Sequence, residues 1–524
     1  MTPPTSTAPA ATTASAPTTA PSALDRLERA SGRLAGWIGS SAAFWTIFAI
    51  AALSGAAIAL VARPFLLYDE FYHVGIVDAF AGQAAPFPSP DPESGYLGDV
   101  TRLPSYLYHY LLSFPYRLAV AAGASEFEAV VLLRLITVAI TTTSLIWFRR
   151  IGRGLGLSGA IVNTALLVFV MLPVVPFVAA TVNYDGPLLL LTAIFLWRAM
   201  LVQAAPRFDP AAWAIMLGVG AIASVTKYTF LPVFAAAIVM LLVNEFLRAR
   251  ASGWGEWWST RERVDVRSPW TWIVGALLAI AFALVLERIG WNLLAYGTPN
   301  PSCGDLHAEE YCRAYGPYRR NADLRAGHET TPIGLSSAWY FLMGDWIPWT
   351  ILTSTTVGGE TPTGVQTLTG SEFLLNLLRI GTTVAVVFAL LVLAPALRNG
   401  RARLLVVVSL ALAGALFVLN YNGWRTNGIA LAIQARYLMP VLPVLLMGAG
   451  FGVARTLRLT QRRPGAWKAG VLAILLVVAI QCGGPLIYFA GATPGWVQPE
   501  SVLAPLVPAA HSLANIILIG VAVP

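Results

Sequence analysis

Residues 43–73 read AFWTIFAIAALSGAAIALVARPFLLYDEFYH, and the reading of this stretch decides the class of the chain. Its first 20 residues carry no charge. Coiled into a helix at 1.5 Å per residue they reach about 30 Å, the thickness of a bilayer's hydrocarbon core. Arg63-Pro64 closes the run, and two adjacent carboxylates, Asp69 and Glu70, follow at once. Further apolar runs lie at 127–148, 160–180, 187–202, 211–225, 230–246, 270–286, 373–393, 404–419, 437–453 and 470–489, with a weaker one at 502–523. Together they predict an all-α polytopic membrane protein with about 11 or 12 transmembrane helices.

Composition excludes the water-soluble alternative. Of the 524 residues 57% are hydrophobic and 11% charged, and the mean hydropathy is +0.67. The net charge of +8 would point to nucleic acid in a soluble chain, but here the placement of the charges carries more than their sum, and no nucleic-acid partner is expected. Clusters at Arg26/Arg29/Arg33, Arg149/Arg150/Arg153, Arg198/Arg207, Arg248/Arg250/Arg261/Arg263/Arg267, Arg398/Arg401/Arg403 and Arg455/Arg458/Arg462/Arg463/Lys468 hold 21 of the 34 basic residues. Alternate loops collect them when the N-terminus lies inside, so the expected orientation is N-terminus cytoplasmic.

Residues 1–22 are Ala, Pro, Ser and Thr after the initial Met and read as a disordered tail, with 23–42 an amphipathic cytoplasmic lead-in. The membrane domain spans 43–490, with long outer segments at 63–126 and 290–372, and 491–524 closes the chain with a candidate last helix. Tyr106, Tyr108, Tyr110, Phe114 and Tyr116 give the first outer segment an interfacial, aromatic helix pattern, and 336–352, rich in Trp, reads likewise. Runs 211–225 and 230–246 form a helical hairpin with Lys227 at its tip. Cys303 and Cys312 share the second outer segment, where a disulfide and two free thiols are both open, the compartment favouring the bridge. Cys482, inside an apolar run, reads as a buried small hydrophobe.

No nucleotide loop, His-Glu-x-x-His or paired Cys-x-x-Cys motif occurs, so chemistry must come from carboxylates and cations at the outer face. Asp69 and His73 fall on one face of a helix while Glu70 points about 100° away. Asp69 either faces a cleft, with Glu70 bracing it, or merely caps a helix beginning at Glu70. Asn183-Tyr184-Asp185-Gly186-Pro187 is equally a helix start and a second outer-face site. Gln434-Ala435-Arg436-Tyr437, with Arg425 nearby, sets a cation at the head of a later run, either for a ligand or as a lipid-phosphate anchor. Acids and cations from distant segments thus meet at one face, as an anionic phosphate and a group to be deprotonated would require.

Asp-Glu directly after the first helix, many helices, and the set Asp69-Glu70-x-x-His73, Asn183-x-Asp185 and Gln434-x-Arg436-Tyr437 resemble the GT-C superfamily of integral-membrane glycosyltransferases. That superfamily includes protein mannosyltransferases, lipid A aminoarabinose transferases and a poorly characterised group of bacterial membrane proteins. No Trp-Trp-Asp sequence occurs, which sets the chain apart from oligosaccharyltransferases. The resemblance covers about 43–489 and implies inverting transfer of a sugar from a polyprenyl-phosphate donor to a cell-envelope glycan, lipid or protein at the outer face of a bacterial inner membrane. It implies Asp69 as base, with Glu70, the second of the catalytic pair, His73 and Asp185 orienting it or the acceptor, Lys227 and Arg436 holding the phosphate, and Asn183, Arg425 and Tyr437 also among the substrate- or donor-binding residues. No cofactor is required; Asp69, Glu70, His73 and Asp185 are of ligand type for a divalent metal, yet no spacing demands one. The runner-up is a transporter or flippase for a lipid-linked or anionic substrate, for which an internal repeat would be expected and none is visible.

Overall fold

The computed structural model describes residues 23–65, 69–88, 92–361, 364–369, 391–460, 480–481, 483–491 and 494–518, with 380 and 387 as isolated positions. The tail 1–22, the runs at 373–393 and 470–479 and Cys482 lie essentially outside them. The first helices are α1 (Ala23–Ile38), α2 (Ser41–Val61), α3 (Glu70–Ala81), α4 (Leu107–Ala121), α5 (Glu126–Gly154) and α6 (Gly159–Met171). They continue with α7 (Val174–Ala179), α8 (Asp185–Ala204), α9 (Pro210–Thr226) and α10 (Leu231–Ser252). Starts are chemically marked. Ser40, Ser158 and Asp209 cap α2, α6 and α9 through their side chains, and Ser125 with Glu128 forms a reciprocal capping box on α5.

Six helices among the described residues are long and apolar enough to cross a membrane: Ser41–Val61, Glu126–Gly154, Asp185–Ala204, Tyr228–Ser252, Pro269–Tyr296 and Gly400–Asn427. Four apolar helices are shorter, including Pro210–Thr226 and Leu442–Thr456. The chain is an all-α, multi-pass membrane protein. Within the described residues several of the expected runs differ in detail. The 160–180 run is two helices parted at Leu172-Pro173, because proline has no amide hydrogen for the preceding turn. The 437–453 run begins with a 3₁₀ turn, Ala435–Leu438, and Pro440 delays its α-helix to Leu442. Of the last run, the described part holds the helix Ala504–Ile517, about 21 Å long.

Two π-turns interrupt otherwise continuous helices, Leu286–Gly290 within Pro269–Tyr296 and Phe341–Trp346. A short antiparallel hairpin pairs Thr356–Thr361 with Gly364–Thr369, an element with no alternating pattern to announce it. The disulfide Cys303–Cys312 joins Cα atoms 5.6 Å apart. Beside it His307 Nε2 lies 3.0 Å from Asp99 Oδ1, tying the segment 290–372 to 63–126. The main core is built where α5, α6, α8, α9, α10, Gly400–Asn427 and Leu442–Thr460 meet, around Phe148, Phe169, Phe195, Leu196, Phe230 and Val408.

Candidate active site

A buried ion pair positions everything else. Glu70 opens α3 and is wholly buried, as is Arg134 in the middle of α5. Arg134 Nε donates to Glu70 Oε1 at 2.8 Å and Nη2 donates to Oε2, a two-pronged pair. The remaining guanidinium hydrogens go to the carbonyls of Ala59 (3.2 Å), Ala62 (2.7 Å) and Arg63 (2.8 Å) at the end of α2. Glu70 accepts two more bonds, from the amides of Phe65 and Val182, each at 2.9 Å. One carboxylate therefore locks the end of α2, the start of α3, the middle of α5 and the turn before α8. With every lone-pair direction occupied and no exposed surface, Glu70 cannot touch a substrate. Its place in the catalytic pair is corrected to that of a strut, the bracing role.

Asp69, one residue earlier, is set differently. Its φ of 61° lies in the left-handed region, which non-glycine residues adopt rarely and which aspartate tolerates better than most. Its carbonyl accepts from the Tyr72 and His73 amides, so the backbone starts the helix, but the side chain makes no capping bond. The capping alternative is thereby overturned: the carboxylate turns away and Oδ2 accepts from Arg436 Nη2 at 2.6 Å. The Asp69 side chain is 55% exposed and that of Arg436 4%.

Behind this pair lies a second one. Lys227, between α9 and α10, donates to Asp185 Oδ1, and its ammonium sits over the rings of Tyr184 (4.4 Å) and Tyr437 (4.5 Å). Arg436 Nε stands 3.8 Å from Asp185 Oδ2, and Nη2 donates to the Tyr437 hydroxyl at 3.3 Å. Asn183 Oδ1 accepts from the Asp185 amide at 2.8 Å and so turns the chain into α8. Gly186 is required there. A Cβ at that position would fall 2.4 Å from Thr141 Oγ1, so only glycine lets α8 press against α5 and carry Asp185 inward. Gly186→Ala is expected to cost about 1 to 3 kcal/mol of stability, read as a fall in melting temperature. An unchanged melting point would show that α5 and α8 can part without loss.

Two histidines complete the site. His73 Nδ1 lies 2.8 Å from His109 Nε2, the rings stack at 5.1 Å, and the edge of Tyr184 meets His73 at 4.6 Å. Burial, then His109, Arg436 and Lys227 hold His73 well below the ordinary 6.5; burial takes His109 down to about 4, partly offset by the Ser105 carbonyl. Both are neutral at pH 7. Folded values below the unfolded value mean that the unfolded chain takes up protons first as pH drops. The pair's stability is therefore complete above about 6.5 and is lost as pH falls from there toward about 4. Melting temperature should fall between pH 7 and pH 5, and less so in a His73→Phe/His109→Phe variant; equal slopes would refute the linkage.

Most of the residues singled out from sequence meet here: Asp69, His73, Asn183, Asp185, Lys227, Arg436 and Tyr437 form one cluster, with Glu70 beneath it. Arg425 does not join. It occupies the last turn of Gly400–Asn427, donates from Nε to the Thr331 carbonyl at 2.8 Å and packs near Tyr421, pinning the segment 290–372. Glu70 and Asp185 each neutralise a buried cation, and among the described residues no group of three or more His, Cys, Asp or Glu that could hold a metal ion occurs. Arg134 and His109 escaped the sequence reading. Arg134 had a signal, a lone arginine inside an apolar run, costly in a membrane unless paired. His109 was hidden inside an aromatic pattern that reads as interfacial.

No family model matches the chain, and no curated protein does. Among solved structures it is similar to ArnT from Cupriavidus metallidurans bound to undecaprenyl phosphate, at 15% identity and a TM-score of 0.41, over 92% of this chain and 76% of that one. It is similar to the same protein in the apo state at 16% identity and a TM-score of 0.39, over the same shares.

Proposed function

We propose that the chain is an inverting glycosyltransferase that moves a sugar from a polyprenyl-phosphate donor to a cell-envelope acceptor at the outer face of a bacterial inner membrane. The observation that carries it is the contrast within one ion pair: an exposed carboxylate, Asp69, held by a buried guanidinium, Arg436. An arriving phosphate competes with Asp69 for Arg436, and when it wins, the carboxylate is released beside the new anion. The acceptor hydroxyl gives its proton to Asp69 while its oxygen attacks the anomeric carbon, and the bond from that carbon to the phosphate oxygen breaks. Polyprenyl phosphate departs as an anion on Arg436, with Lys227 and Asp185 behind it fixing the local charge, so no general acid is needed. Incubating purified chain with radiolabelled polyprenyl-phosphate sugar and cell-envelope acceptors should release polyprenyl phosphate and label the acceptor. Movement of intact donor across a vesicle bilayer without bond cleavage would replace this reading with a flippase.

The arginine distribution supports this placement of the site. Cysteines introduced at Ser94 and Ser302 should react with an impermeant thiol reagent in spheroplasts, and one at Ser259 should not. The reverse pattern would put Asp69 in the cytoplasm and end the proposal.

A further inference from the structure

The two histidines carry information that their positions alone do not. His109 Nδ1 lies 3.1 Å from the backbone carbonyl of Ser105, an atom that can only accept. His109 Nδ1 therefore bears the hydrogen, and in a neutral ring Nε2 is a bare acceptor. That acceptor faces His73 Nδ1 at 2.8 Å, so His73 Nδ1 must be the donor. The chain of constraints ends on His73 Nε2, which is left unprotonated at the far edge of the ring. No hydrogen bond to His73 Nε2 is made by any described residue. Arg436 and Lys227 nearby disfavour an extra proton on the ring. His73 sits one helical turn beyond Asp69, its amide bonded to the Asp69 carbonyl at 3.1 Å.

We propose that His73 Nε2 accepts a hydrogen bond from a carbohydrate hydroxyl brought in beside Asp69, and that His109, anchored on the Ser105 carbonyl, is the positioning residue that fixes this tautomer. A bare nitrogen lone pair among cations discriminates in favour of a donor group. It rejects an ammonium, which the cations repel, and it rejects a carbonyl, which has no hydrogen to give. The ligand class is a neutral hydroxyl, from the acceptor or from the transferred sugar. This rests on the transferase reading for the identity of the ligand, but not for the tautomer.

Two measurements test it. Nitrogen-15 NMR of histidine-labelled protein in lipid reads the tautomer without any turnover; His73 and His109, identified by substitution among the five histidines, should both carry hydrogen on Nδ1. Hydrogen on His73 Nε2 would overturn the proposal even in an active enzyme. The second measurement uses the two amide replacements. His73→Gln puts an amide oxygen near the Nε2 position, whereas His73→Asn keeps a donor near Nδ1 and loses the acceptor. His73→Asn should weaken carbohydrate recognition about tenfold or more, and His73→Gln should restore most of it. A rise in acceptor KM assigns the hydroxyl to the acceptor, and a rise in donor Kd assigns it to the transferred sugar. His109→Phe should move the same parameter, and this effect should vanish in a His73→Asn background. Asn at wild-type level with Gln impaired would mean that only the brace to His109 matters, and would overturn the proposal. If the tautomer is found as described and the wild-type chain transfers no sugar, the transferase reading fails and the histidine relay stands.

Discussion

Arg134→Met is expected to destabilise the protein by about 3 to 5 kcal/mol, because it leaves Glu70 buried, ionised and without its cation. The loss reaches beyond one pair. Arg134 also satisfies three carbonyls at the end of α2, and Glu70 satisfies the amides of Phe65 and Val182, so the joint of α2, α3, α5 and the turn before α8 loosens together. Melting temperature of the purified protein, or its abundance in membranes where it no longer purifies, is the measurement. Glu70→Gln/Arg134→Met should recover part of the loss, since no unpaired charge then remains. Glu70→Gln alone should lower stability and leave the surviving protein with most of its turnover, as befits a strut. A melting point unchanged in Arg134→Met would remove the pair from the frame of the site.

Asp69→Asn is expected to lower turnover at least about 100-fold. The fold should tolerate it, because asparagine, like aspartate, adopts the left-handed backbone that φ 61° demands. Donor affinity should be retained or improved, since a neutral amide competes with phosphate for Arg436 less strongly than a carboxylate does. Loss in turnover with unweakened donor binding is the mark of a group used in the transition state. An active Asp69→Asn enzyme beside a dead but folded Glu70→Gln would move the base to Glu70, against its complete burial.

What the sequence disclosed is set by the range over which its signals act. Apolar length is local, so α2, α5, α8 and α10 are legible from residues within each run. Asp69, Asp185, Lys227 and Arg436 stand out because charge at a helix end near lipid is costly without a use. Pairing is not local. Glu70 and Arg134 are parted by a whole outer segment, and nothing in either neighbourhood says that Arg134 rather than Arg436 answers Glu70. Asp69 and Glu70 are adjacent and chemically alike, yet the left-handed turn at Asp69 sends one carboxylate to the surface and the other into the core. That turn is decided by the contacts on both sides of it. Arg425 misleads for the same reason: close to Arg436 in sequence, it is spent on the Thr331 carbonyl. The breaks at Pro173 and Pro440 were legible as prolines and hidden only by the continuity of hydrophobicity around them.

The central claim is that Arg436 exchanges Asp69 for the donor phosphate, and titrating a polyprenyl-phosphate sugar against purified wild-type and Arg436→Ala protein tests it most directly. An uncomplemented phosphate in a partly desolvated cleft should cost about 2 to 5 kcal/mol, a dissociation constant at least about 30-fold weaker. Turnover should fall as well, because the leaving group gains charge as its bond breaks. Arg436→Lys should lie between, keeping the charge and losing the planar, two-pronged donor set. Wild-type donor affinity and turnover in folded Arg436→Ala protein would contradict the account.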